Sequence, residues 1–224
     1  MPNDLSAGVA SFLIIACYYL YRQLRVHKNP LYSMKSMNTF ARDAWVESMM
    51  AGGPGKEILA VQTLRNSTMT ATFFASTAIL LVIGVLNLVP RNGAVPTAVF
   101  EVLYSHATAG DVGAFKLLIL LAQYFWTFFC FSLAVRIYNH VSFLINITRS
   151  QCAFITPTLV ADLINRAGHY YSLGMHTYYL SLPVLFWLFG PLYLIIASLG
   201  VVVLMYHADH GILKQRSTPN ASNG

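Results

Sequence analysis

The sequence predicts an all-α fold: a multi-pass helical membrane protein with four transmembrane helices and two amphipathic helices on the cytoplasmic side. Three observations carry that prediction. The stretch from Tyr178 to Tyr206 contains no charge, and it exceeds the roughly 20 apolar residues a helix needs to cross a bilayer core. Hydrophobic residues make up 56% of the chain against 10% charged, more apolar surface than a soluble domain covers. The basic residues flank apolar runs and form no compact patch, so the net charge of +6 speaks for membrane topology and against a nucleic-acid partner.

The first predicted span covers residues 5–21. Its start, Met-Pro-Asn-Asp, has no basic segment, and Arg22, Arg25 and Lys28 follow the apolar run. A cleaved signal peptide has the opposite order, so this reads as an uncleaved span with its N-terminus outside. The loop that follows carries Lys35, Arg42, Lys56 and Arg65 as well, which places it in the cytoplasm by the positive-inside rule. Within it, Asn38 is a candidate cap for a helix running to about Met50. Met37, Phe40, Ala41, Ala44, Trp45 and Met49 share one face at helical spacing, and Arg42, Asp43 and Glu47 fall away from it. That pattern suits a helix lying on the inner membrane surface or against the bundle. Gly52-Gly53-Pro54-Gly55 ends it.

Lys56 opens the second spanning helix, whose apolar body is 67–89. Ser67, Ala71, Ala75 and Ala78 form a stripe of small residues, which lets membrane helices approach closely. The third span is 115–135, with the helix extending to about 147. Thr156-Pro157 is a good cap and first-turn pair. It opens a second amphipathic helix with Leu159, Val160, Leu163, Ile164, Ala167, Tyr170 and Tyr171 on its apolar face, ending near Gly174. The fourth span, 178–206, is expected as one helix kinked at Pro183 and Pro191, which free the carbonyls of Tyr179 and Trp187. Gly190 then allows a neighbouring helix to approach. Residues 1–216 form a single integral membrane domain and 217–224 a disordered polar tail. Four spans put both termini outside and the basic loops inside a plasma (inner) membrane.

Three stretches together resemble an uncharacterised membrane family, domain of unknown function 599. They are Asn38-Thr-Phe-Ala-Arg-Asp-Ala-Trp-Val46, Gln62-Thr-Leu-Arg-Asn-Ser-Thr-Met-Thr-Ala-Thr-Phe-Phe-Ala-Ser-Thr-Ala78, and Tyr178-Tyr-Leu-Ser-Leu-Pro-Val-Leu-Phe-Trp-Leu-Phe-Gly-Pro191. The resemblance runs from about the first span to the end of the fourth. It implies a multi-pass membrane protein and supplies no reaction, cofactor or ligand. The histidine-containing end, His207-Ala-Asp-His210, stands where the family pattern leads one to expect arginines.

Candidate sites follow from ionisable groups near membrane depth, where charge is costly. Arg65 and Asn66 at the mouth of the second span, with Arg136 and His140 at the end of the third, form a polar inner-mouth cluster; the competing reading is anchors that snorkel or pair with Glu57, Asp43 or Asp162. His207, Asp209 and His210, completed by His106, Glu101 or Asp111 from the outer loop, supply nitrogen and oxygen donors for a divalent metal. His140 and His176 are a weaker pair for a haem. Pro183, Trp187, Gly190 and Pro191 mark the kink and its packing. Cys17, Cys130 and Cys152 have no CxxC spacing and read as small buried hydrophobes. No catalytic set is legible and no resident cofactor is predicted. The chain is therefore expected to act by association, as a scaffold, accessory or partner-binding subunit, in a homo-oligomer or with other membrane proteins. The alternatives are a small-solute channel or transporter, and an outer-side metal-binding or redox protein.

Overall fold

The computed structural model describes residues 2–28, 34–88, 111–147, 152 and 154–216, and every regular element among them is helical. They are α1 (Pro2–Lys28), α2 (Met34–Met50), α3 (Lys56–Asn87), α4 (Asp111–Leu144), α5 (Pro157–Trp187) and α6 (Pro191–Arg216). Three stretches are long and apolar enough to cross a membrane: Ser6–Arg25, Lys56–Asn87 and Gly113–Leu144; Pro191–His207 is apolar but shorter.

Several boundaries differ from the sequence expectation, each for a physical reason. Asn38 lies inside α2 and does not cap it, because Met34, Lys35 and Met37 are all strong helix formers that extend the helix backwards. Gly174 does not end a helix. α5 runs on through it to Trp187, since a glycine stops a helix only where the chain turns left-handed, and Gly174 has no positive φ. The expected kinked fourth span is two helices. Leu188, Phe189 and Gly190 each donate to the carbonyl three residues back at 3.1 Å, the tightened pattern of a closing helix end. Gly190 then takes φ 138°, and Pro191 starts α6 at the first helical position, where its missing N–H costs nothing. Pro183 remains inside α5 and buried. The boundaries at Gly52-Gly53-Pro54-Gly55 and Thr156-Pro157 fall as expected. The three glycines have φ 78°, 137° and 80°, and Thr156 Oγ1 accepts from the Leu159 N–H at 3.3 Å.

The chain falls into two compact units. One gathers α2 from Thr39, α3, α4 from Leu117 and α5 as far as Ser181. The other gathers α1, the start of α4 through Lys116, and the chain from Leu182 on.

In the larger unit, burial follows a seven-residue rhythm. α4 buries Leu117, Leu120, Tyr124, Thr127, Phe131, Ala134, Tyr138 and Val141, and Ile145 follows just beyond it; the steps alternate between three and four residues. α3 buries Leu64, Ala71, Ala75, Ala78, Val82 and Val85 in a similar rhythm. Ala71 and Ala78 of the small-residue stripe are wholly buried and so are spent inside this unit. On α5 the series is Val160, Ile164, Ala167, Tyr171, Gly174, Tyr178 and Ser181, with the two tyrosines half-buried. A repeat averaging 3.5 residues keeps one seam on a neighbour only if the helices supercoil left-handedly. Rings fix the pairing of α4 with α5. Tyr124 meets Tyr178 at 6.3 Å and Phe131 meets Tyr171 at 5.5 Å, an antiparallel register. Phe74 of α3 stacks on Phe131 at 5.4 Å and 20°.

In the other unit, α1 buries Ala7, Ser11 and Tyr18, and α6 buries Leu194, Ser198, Val201 and Met205. Their contact includes a buried hydroxyl pair, Ser11 with Ser198. Ser198 already donates to the Leu194 carbonyl at 2.7 Å, so Ser11 is the donor of the pair. Gly8 sits where a β-carbon would lie 3.5 Å from the Trp187 ring.

Candidate functional site

The sequence-predicted residues separate into those that the fold engages and those it leaves outward. Trp187, Gly190 and Pro191 meet at the break between α5 and α6, and the structure adds a residue there that sequence reasoning did not single out. Lys116, in the first turns of α4, is 4% exposed. Its Nζ lies 3.4 Å from the Trp187 carbonyl oxygen and 5.1 Å from the centre of the Trp187 ring. The carbonyl also accepts the Gly190 N–H. A helix end carries a partial negative charge on its unsatisfied carbonyls, and a tryptophan face attracts a cation. Both effects hold the ammonium at the break. The signal in the sequence was weak, a lone Lys after a glycine ahead of an apolar run.

A second engaged pair was read as falling away from the packed face. On α2, Arg42 and Asp43 turn toward α5. The Arg42 guanidinium lies so close to Gly168 that no β-carbon fits there, and Asp43 Oδ1 accepts from Asn165 Nδ2 at 2.7 Å. These contacts set the rotation of α2. Val46 is fully buried with Trp45, Met49 and Met50 against Leu64, Val141 and Ile164. Met37, Phe40, Ala41 and Ala44, read with Trp45 and Met49 as one apolar face for the membrane surface or the bundle, are exposed. The Arg-Asp pair sits in the middle of the Asn38–Val46 stretch, which was the available clue.

The inner-mouth residues are not joined by direct bonds. Arg65, Asn66, Arg136 and His140 are all exposed, and no side-chain hydrogen bond or ion pair joins them among the described residues. His140 and His176 do not face each other either. The α4–α5 register sets His176 near the level of Trp126, and the intervening 14 residues of α4 span about 21 Å at 1.5 Å per residue. The metal candidates fall mostly outside the description. His106 and the side chains of Asp209 and His210 lie outside the described residues, and His207 is exposed. Among the described residues no group of three His, Cys, Asp or Glu is placed to hold a metal ion. Cys130 is buried, Cys152 half-buried and Cys17 exposed.

A further feature lies between α3 and α4. Thr72, Ala75, Ser76 and Leu80 face Phe128, Ser132 and Val135 across an open, apolar groove of about 470 Å³. It is lined by the middle portions of two of the long apolar stretches.

A family model described as Protein of unknown function, DUF599, matches residues 7–211, so the similarity covers almost the whole chain. No curated protein and no solved structure matches it.

Proposed function

The chain belongs to the family described as Protein of unknown function, DUF599, and because that description carries no reaction we propose its role from geometry: an integral membrane protein that acts by association, as a scaffold, accessory or partner-binding subunit. The observation that carries this reading is the groove between α3 and α4. Ala71 and Ala78 of the stripe are consumed within the fold, and the groove, walled in part by Ala75, is the recess left for another membrane helix. Its small residues, Ala75, Ser76 and Ser132, permit the close backbone approach on which helix association in lipid depends. Native purification in mild detergent is expected to give a particle larger than one chain, as a homo-oligomer or with other subunits. Ser76→Leu with Ser132→Leu, which fills the groove from both walls, is expected to return it to a monomer that still melts cooperatively. A monomeric wild type, or a double variant with unchanged partners, would sink the proposal.

The topology proposed with it has four crossings, the last made by the broken α5–α6 stretch. Both termini lie outside a plasma (inner) membrane, with α2 on the cytoplasmic side. Support comes from the basic residues concentrated between α1 and α3. Ser6 and Ser48 are exposed and serve as reporters. A membrane-impermeant thiol reagent added to intact cells is expected to label Ser6→Cys and to spare Ser48→Cys. The reverse pattern would invert the orientation.

A further inference from the structure

Six threonines on α3 and α5 share one habit, and Thr127 on α4 departs from it. Thr63, Thr68, Thr70, Thr72, Thr77 and Thr177 each donate to the carbonyl four residues back, at 2.8–3.0 Å. This is the ordinary way for a helical threonine to satisfy its O–H. Thr127 on α4 is fully buried and does not do so. Its Oγ1 has no hydrogen-bond partner among the described residues, and neither does the buried Oε1 of Gln123, the residue whose carbonyl Thr127 would be expected to use.

The two oxygens belong together. Residues four apart on a helix lie one above the other on the same face. Cys130, buried on that face three residues further on, adds a thiol that donates and accepts weakly. Thr127 stands at the middle of the Gly113–Leu144 apolar stretch, the place where a bare polar group is least tolerable, since lipid offers no hydrogen bonds in exchange. The hydroxyls of Tyr124 and Ser181 are engaged elsewhere. Tyr124 is engaged with Ser181, and Ser181 donates to the Tyr178 carbonyl at 2.8 Å.

We propose that Gln123 Oε1 and Thr127 Oγ1, with the Cys130 thiol beside them, hold an internal water molecule in the core of the larger unit. Water matches the chemistry of the set. It donates one hydrogen to the amide oxygen and exchanges one hydrogen bond with the threonine hydroxyl, within the two to four bonds that buried waters make. Two neutral oxygens and a thiol are too few hard donors for a dehydrated metal cation, which takes six or more oxygen ligands when it is calcium or magnesium. The site is independent of the association proposed above and would stand if that failed.

Radiolytic hydroxyl-radical footprinting tests it, because radicals generated from a trapped water label the side chains beside it even where bulk solvent does not reach. In the purified full-length protein in detergent, Cys130 and Tyr124 are expected to be oxidised well above Tyr138, an equally buried residue further along α4. Thr127→Val keeps the shape and removes the hydroxyl. It is expected to bring Cys130 and Tyr124 down to the level of Tyr138 and to lower the melting temperature. Thr127→Ser retains the labelling. Where Thr127→Val does not fold, Gln123→Leu removes the other oxygen and is read in the same way. The proposal is overturned if Cys130 and Tyr124 are no more labelled than Tyr138 in the wild type. It is equally overturned if labelling survives the loss of either oxygen, or if Thr127→Val melts higher, as it would were the hydroxyl merely an unsatisfied group removed.

Discussion

Gly174→Leu is expected to be the most damaging single substitution in the larger unit, lowering stability by about 3 kcal/mol or more. A β-carbon at Gly174 would lie 3.0, 3.1 and 3.2 Å from three atoms of the Phe131 ring. That ring cannot swing aside. It is fully buried, stacked on Phe74 and edge-on to Tyr171, so its displacement propagates through the aromatic contacts joining α3, α4 and α5. Leucine then adds further carbons to a site that has no room for one. Gly200→Leu on α6 is the matched comparison, since nothing lies within 4 Å of its β-carbon position. The change there removes a weak helix former and adds a strong one, a gain of up to about 0.8 kcal/mol. Thermal unfolding of the two variants in the same detergent decides the matter. Equal melting would mean that the close approach of α5 to Phe131 does not hold the unit together.

What the sequence disclosed and what it concealed have a common cause. Helices are easy to read in a membrane chain because length and lack of charge suffice, and capping chemistry at Thr156-Pro157 or the Gly52–Gly55 turn adds sharp boundaries. Which face a helix buries is harder, because the exposed side of α4 is as apolar as the packed side. Phe125, Trp126 and Phe129 are exposed, while Tyr124, Thr127 and Phe131 are buried, so polarity gives no contrast and only spacing does. On α3 the contrast was size, not polarity, and there the alanine stripe was legible in advance. On α2 the apolar pattern told only part of the orientation. Its apolar residues marked one face, but Arg42 and Asp43 form directed contacts with α5, and these turned the helix. Lys116 was concealed because a charge at the end of an apolar run reads as a boundary marker, and only the three-dimensional break at Trp187 gives it a buried partner. The inner-mouth residues present the reverse case. Arg65 and Arg136 stand at apolar boundaries and remain exposed, which is where a snorkelling anchor belongs.

The break between α5 and α6 is expected to depend on Gly190 and not on the proline that follows it. Pro191 occupies the first position of α6, where proline is favoured but not required. Pro191→Ala is therefore expected to change stability by less than about 1 kcal/mol and to leave two separate helices, because the chain has already turned one residue earlier. Gly190 has φ 138°, a region that a residue with a β-carbon enters at a cost of about 1–3 kcal/mol. Space is not the obstacle, as the nearest atom to a β-carbon there is Tyr193 Cδ2 at 3.8 Å. Gly190→Ala is accordingly expected to lower the melting temperature by several degrees through backbone strain alone, and Gly190→Leu by little more than Gly190→Ala. That near-equality separates strain from crowding, since a crowded site penalises leucine far more heavily. Should Pro191→Ala melt several degrees lower while Gly190→Ala melts with the wild type, the proline sets the break. Should Gly190→Leu fall far below Gly190→Ala, a neighbouring helix approaches this glycine, as the sequence alone had suggested.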